Sequence, residues 1–251
     1  MIRNSLTQDN LSARLFLFLS RWSSVTALMI LLTTALYSGG VGFAATDNVL
    51  GSEYAELFQS VRSSLFYRLE TLSETFHWLM IGGTLIIFAG LFARRAPIRA
   101  AFIAVCGIAQ LMGSLASLLR VSGISDIAAR YATAAPNQQA ALLQSFLDLN
   151  RVIQPHYTAA TLLQGAGFLL VAWVAWRWEG FPRWLAVLLA IAGLLGLVLF
   201  ILRAEGAPPA LLLPVILLAV FGLVGLHVAI AVTCWRPSST LVSAASASVA
   251  T

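Results

Sequence analysis

The chain has 251 residues, 59% of them hydrophobic and only 10% charged, where a soluble domain carries roughly a quarter charged. With a mean hydropathy of +0.87, that composition excludes a soluble globular protein and describes one polytopic membrane domain of about six spans. The net charge of +5 comes entirely from Arg, with no Lys; the Arg residues sit singly or in pairs near the ends of apolar runs, so they mark interfacial anchors and carry no nucleic-acid signal.

Residues 1–21 set Leu11, Leu15, Phe16, Phe18 and Leu19 against Arg3, Asp9, Arg14 and Arg21. That pattern predicts a short amphipathic helix in the headgroup region. It leads into a first span at about 22–43, expected to remain uncleaved because the basic leader is long for a secretory signal. Residues 46–75 are acidic and place Leu50, Tyr54, Leu57, Phe58, Val61, Leu65, Leu69 and Leu72 at spacings of three and four, which predicts a helical loop with an apolar stripe. A second span follows at about 77–93. It ends at Arg94, Arg95 and Arg99, the most basic short loop of the chain.

The third span covers about 98–119. A second long excursion, 121–155, is expected to hold two helical pieces separated by Pro136. The fourth and fifth spans, about 157–177 and 183–203, form a hairpin whose short turn carries Arg177, Trp178, Glu179, Gly180, Phe181, Pro182, Arg183 and Trp184. Pro182 suits the first turn of a helix, and the Trp and Arg residues suit a membrane interface. A sixth span covers about 209–235, and the uncharged Ser, Ala, Thr and Val residues of 237–251 predict a disordered tail. Short Arg-bearing loops on one side and long loops on the other predict both termini in the cytoplasm.

The hairpin residues Trp173, Trp176, Arg177, Gly180, Phe181, Pro182, Arg183, Trp184 and Leu185, continuing to Ala190, Ala192 and Gly193, resemble an uncharacterised family of six-span bacterial integral membrane proteins. That family carries a Gly-apolar-Pro-Arg loop between its fourth and fifth spans. The resemblance implies the all-α, six-span architecture and a bacterial inner membrane, and it implies no activity. The longer acidic first loop departs from the family's commoner pattern.

No catalytic motif appears: there is no His-Glu-x-x-His, no Gly-x-Ser-x-Gly and no Walker loop. The Gly-rich run 38–42 follows a span, has no Lys after it, and reads as a helix end. Cys106 and Cys234 lie at different depths and are not expected to pair. His77 and His156, at the outer ends of the second and fourth spans, would be the ligands of a haem if one were held. No cofactor or metal is otherwise expected, and interfacial hydrogen bonding is the simpler role for both.

Counting inward from the Arg at each inner end places Thr33, Thr84, Gln110, Gln164 and His227 roughly 14 to 20 Å deep. Polar groups at that depth are costly unless paired, so they should turn inward. Gln110 shares a face with Cys106, Gly113, Ser114 and Ser117, and Gln164 lies near Thr158, Thr161 and Gly165. These residues either hold the bundle together by interhelical hydrogen bonds or line a ligand pocket between the third, fourth and sixth spans, with Gln110, Ser114, Thr161, Gln164 and His227 as the binding candidates. The leading functional reading is a non-catalytic accessory or scaffold subunit, embedded in lipid and docking other membrane subunits. The alternatives are a small-molecule or lipid binding or transport protein and, third, an intramembrane enzyme or haem carrier.

Overall fold

The structure is a computed structural model that describes residues 2–39, 58, 65–178 and 181–247. It is all-helical, with α1 (Ile2–Gly39), α2 (Leu65–Phe92), α3 (Pro97–Tyr131), α4 (Pro136–Trp176), α5 (Arg183–Ala204) and α6 (Pro209–Ala247). All six are long and apolar enough to cross a bilayer, and no strand occurs among the described residues. The chain is a multi-pass membrane protein.

Each helix packs on its neighbours in the chain, and α1 closes the ring on α6. A smaller contact joins α2 to α4 across the interior. Short connections enforce this sequential order: α4 and α5 are linked by 177–182, and α5 and α6 by a turn in which Gly206 takes a left-handed φ of 64°. A residue without Cβ adopts that conformation at little cost. Pro97 and Pro136 open α3 and α4 where a missing N–H leaves nothing unsatisfied.

Two expectations meet a different arrangement. The amphipathic leader is no separate element: α1 is one uninterrupted helix, and its apolar window is Arg14–Leu36. That window opens seven residues before Arg21. Thr33 is buried, with its hydroxyl on the Met29 carbonyl of its own helix. The second excursion, likewise, is built from the spans themselves. At 1.5 Å per residue α3 and α4 measure about 52 and 61 Å, far longer than the ~30 Å hydrocarbon core, so they continue past it as a helical hairpin. Pro155 lies inside α4 without ending it; buried Ile153 and Tyr157 on either side pack into one cluster with Trp78, Ala116 and Ala160, which holds the helix line through the lost hydrogen bond.

The hairpin has its own small core of Ile124, Ile127, Ala128, Leu142 and Phe146, and Phe58 from the first loop is buried within it. Phe58 meets Phe146 edge-on at 5.5 Å and Tyr131 at 4.9 Å. The rest of that loop up to 64 lies outside the described residues. At the other end α6 runs on as helix to Ala247, into the segment whose composition predicts a tail without packing.

Candidate functional site

Four rungs of polar side chains climb the interior between α2, α3 and α4. On the lowest, Gln110 is fully buried, and its Nε2 donates to the Cys106 carbonyl (3.0 Å) and, across to α4, to the Ala160 carbonyl (3.2 Å). Both partners are carbonyls, so the nitrogen must be the atom facing them. Its Oε1 is then left buried with no hydrogen bond. One turn outward, Ser114 donates to the Thr75 carbonyl of α2 at 3.1 Å. The indole of Trp78 lies against the bare backbone of Gly113, where a Cβ would come within 2.5 Å of the ring. Trp78 Nε1, a donor only, is also buried and unpartnered.

Above these, the hydroxyls of Ser117 and Tyr157 bond at 2.9 Å, and Tyr157 packs on Trp78 with ring centroids 6.1 Å apart. The outermost rung is a buried ion pair, Arg120 with Glu74 at 3.7 Å. That distance is too long for a hydrogen bond, and Glu74 Oε2 accepts none. Beside this column Arg203 of α5 donates to Thr161 at 3.1 Å, while Thr161 donates to the Tyr157 carbonyl. Arg203, in the last turn of α5, thus turns into the bundle.

His227 occupies a second polar site between α1, α2 and α6. Its Nδ1 lies 2.8 Å from the Leu223 carbonyl and so carries a proton, which leaves Nε2 to face the Thr84 hydroxyl at 3.3 Å. Thr84 has one proton and two acceptors within reach, Nε2 and the Met80 carbonyl at 3.1 Å. The Met80 carbonyl also takes the Trp22 indole N–H at 2.8 Å, and Ser20 donates to the Ala231 carbonyl at 2.7 Å. Ser23, buried three residues beyond Ser20, has an Oγ with no partner.

Of the five binding candidates, Gln110, Ser114 and Thr161 thus come together around α2, α3 and α4. His227 belongs to the second site, although its ring meets Phe168 of α4 edge-on at 6.4 Å. Gln164 is buried on α4 between these contacts, four residues after Ala160 and four before Phe168. The frame differs from a pocket of α3, α4 and α6: α3 and α6 are not packed neighbours in the ring, and α2 supplies the partners of both sites. His77 is half-buried and stacks on Trp78, while His156 directs Nδ1 to its own Val152 carbonyl at 2.8 Å. No group of three or more His, Cys, Asp or Glu among the described residues is placed to hold a metal ion. Cys106 and Cys234 are both buried and form no disulfide.

Glu74, Trp78, Arg120 and Tyr157 were not singled out by sequence reasoning. The one available signal was opposite charge at the outer ends of consecutive antiparallel spans.

The model of a family described as a domain of unknown function, DUF4386, matches residues 25–236. This agrees with the uncharacterised family that the sequence resembles. No curated protein and no solved structure matches the chain.

Proposed function

The chain belongs to the DUF4386 family, a domain of unknown function, and from its interior site we propose that it binds a small molecule carrying both a hydrogen-bond donor and an acceptor. The observation that supports this reading is the pair of orphaned groups on facing helices, the Gln110 Oε1 acceptor and the Trp78 Nε1 donor. An unmet buried polar group costs about 1–3 kcal/mol. A guest seated between α2, α3 and α4, donating to Gln110 and accepting from Trp78, meets both needs at once. Ser114, Thr161 and Gln164 are buried on α3 and α4 nearby, and Tyr157 and the Glu74–Arg120 pair lie outward of them.

A docking role would need the apolar stripes of the outer loops to be open to a partner. In the hairpin those stripes are occupied within the chain, since Ile124, Ile127, Leu142 and Phe146 face one another and Phe58. The exposed Ile98, Phe102, Val105 and Ile108 of α3 are what lipid contact requires of any span.

Native mass spectrometry of the protein purified in mild detergent tests the binding reading. The wild type should carry a small-molecule adduct that Gln110→Leu and Gln164→Leu each lose, with melting temperatures within a few degrees of wild type. An adduct retained by both variants, or none in the wild type, would remove the proposal. If both variants lose their fold, interhelical glue is the better description of these residues.

We further propose that the protein lies in a bacterial cytoplasmic membrane with both termini inside. The short loops with Arg94, Arg95, Arg99, Arg177 and Arg183 support this orientation. A reporter fused after Arg236 should be active only as a cytoplasmic fusion; activity specific to the periplasm would reverse the threading.

A further inference from the structure

The end of the bundle opposite the hairpin carries positive charge arranged in an unusual way. Trp173 of α4 receives two guanidinium groups, Arg99 from α3 at 4.2 Å from its ring centroid and Arg177 at 5.3 Å. Arg95 lies over Trp178 at 4.3 Å, and Arg183 near Trp176 at 5.8 Å. These cations come from both short loops, and among the described residues none of them forms an ion pair with a carboxylate. All three ion pairs among the described residues belong to the other half of the molecule, namely Arg120–Glu74, Arg130–Asp126 and Arg151–Asp148. The first turns of α3 and α5, beside which these Arg residues stand, also hold no acid. Glu179 is outside the described residues.

Two like charges brought to one half-exposed indole repel each other through solvent, by up to about 1 kcal/mol, a repulsion that the cation–π contacts leave in place. An anion between them would offset it. A guanidinium stacked on an aromatic face has its flat side covered and its N–H edge free, and that edge is the fork that grips two oxygens of a phosphate. The depth is also suited. Trp173, Trp176, Trp184 and Trp235 are about half exposed at this end of their helices, as an indole belt at the headgroup level would be. Basic sites between helix ends at that level are places where anionic lipid headgroups bind.

We infer that Arg99 and Arg177, held against Trp173, form a site for the phosphate of an anionic phospholipid. It is independent of the interior ligand, because no residue is shared between the two. The full-length protein in dodecyl maltoside would be titrated with phosphatidylglycerol, phosphatidylcholine or inorganic phosphate while thermal unfolding and lipid adducts are measured. Phosphatidylglycerol should raise the unfolding midpoint, and the other two should not. The double variant Arg99→Gln, Arg177→Gln should bind phosphatidylglycerol roughly thirtyfold more weakly, the loss expected for two guanidinium contacts near a membrane surface. Its midpoint in phosphatidylcholine should be unchanged. Equal stabilisation of variant and wild type by phosphatidylglycerol would overturn the inference, as would wild-type stabilisation matched by inorganic phosphate. Should the variant fail to fold, the wild type alone decides: preferential phosphatidylglycerol adducts uphold the site, and equal retention of both lipids refutes it.

Discussion

Arg120→Met is expected to destabilise the detergent-solubilised protein by roughly 3–5 kcal/mol, because it strands the Glu74 carboxylate inside the bundle. Both side chains are nearly inaccessible, at 6% and 14%, so solvent screens little of the effect. The pair itself is a poor source of stability: at 3.7 Å it repays only part of the desolvation of two charges. These two statements together give an asymmetric result. Glu74→Leu alone should be costly for the same reason, while the double variant Glu74→Leu, Arg120→Met should return close to wild-type stability. Thermal unfolding of the four proteins forms a complete cycle. Additive losses in the double variant would show that the charges do not act as a pair. If the double variant folds but carries no small-molecule adduct, the ion pair belongs to the ligand site as well.

Gly82→Val or Gly107→Val should give little or no folded protein, since α2 and α3 touch backbone to backbone at this crossing. A Cβ on Gly82 would come within 2.6 Å of the Gly107 carbonyl oxygen, and a Cβ on Gly107 within 2.8 Å of the Gly82 oxygen. The obstacle is a main-chain atom on both sides, so no change of rotamer relieves it and the helices must separate. Alanine, the smallest change, is expected to cost about 1–3 kcal/mol. Separation would also pull Gln110, one turn from Gly107, away from the Ala160 carbonyl. Gly90 on the same helix is the control: a Cβ there meets nothing within 4 Å. Gly90→Ala should therefore be neutral or mildly stabilising, by up to about 1 kcal/mol, through the higher helix propensity of Ala. Size-exclusion profiles of the solubilised variants separate the outcomes. A monodisperse Gly82→Val protein with wild-type stability would mean that the crossing is looser than described.

The α4–α5 pair is built the same way, with Gly165 against the Gly193 carbonyl and the backbone around Gly196. Small residues allow such close approach, and in a membrane that packing substitutes for a hydrophobic drive between helices. Both Gly faces are visible as letters in the sequence. Their partners are not, because a glycine reports only that something can come close.

The count of the spans and several helix ends at the short loops were legible because they depend on local quantities. Apolar run length and the placement of Arg and Trp predict ends near Phe92, Trp176 and Arg183 that agree with the helices to within a residue or two. The first span shows where this fails. Arg21 looks like an inner anchor, yet Ser20 beside it is buried against Ala231. An Arg on a long flexible stem can stand inside the span on an exposed face, and only packing reveals which Arg marks the boundary. Counts from the inner Arg residues nonetheless picked out Thr33, Thr84, Gln110, Gln164 and His227, and all five are buried.

What the sequence by itself determined is how many times this chain crosses the membrane, and that polar side chains at depth must face inward. Hydrocarbon solvates no polar group, so both conclusions follow from composition and length along one helix. The tertiary structure alone decided which inward groups meet. Thr84 rather than Gln164 is the partner of His227, Gln110 reaches a carbonyl of α4, and Trp78 fills the gap at Gly113. Those outcomes turn on helix rotation and on contacts between residues as far apart as 143 positions in the chain. A helix can rotate by one residue, about 100°, without changing any property that its own sequence displays. The complementary orphans Gln110 Oε1 and Trp78 Nε1 could be recognised only once the bundle had set α2, α3 and α4 around them.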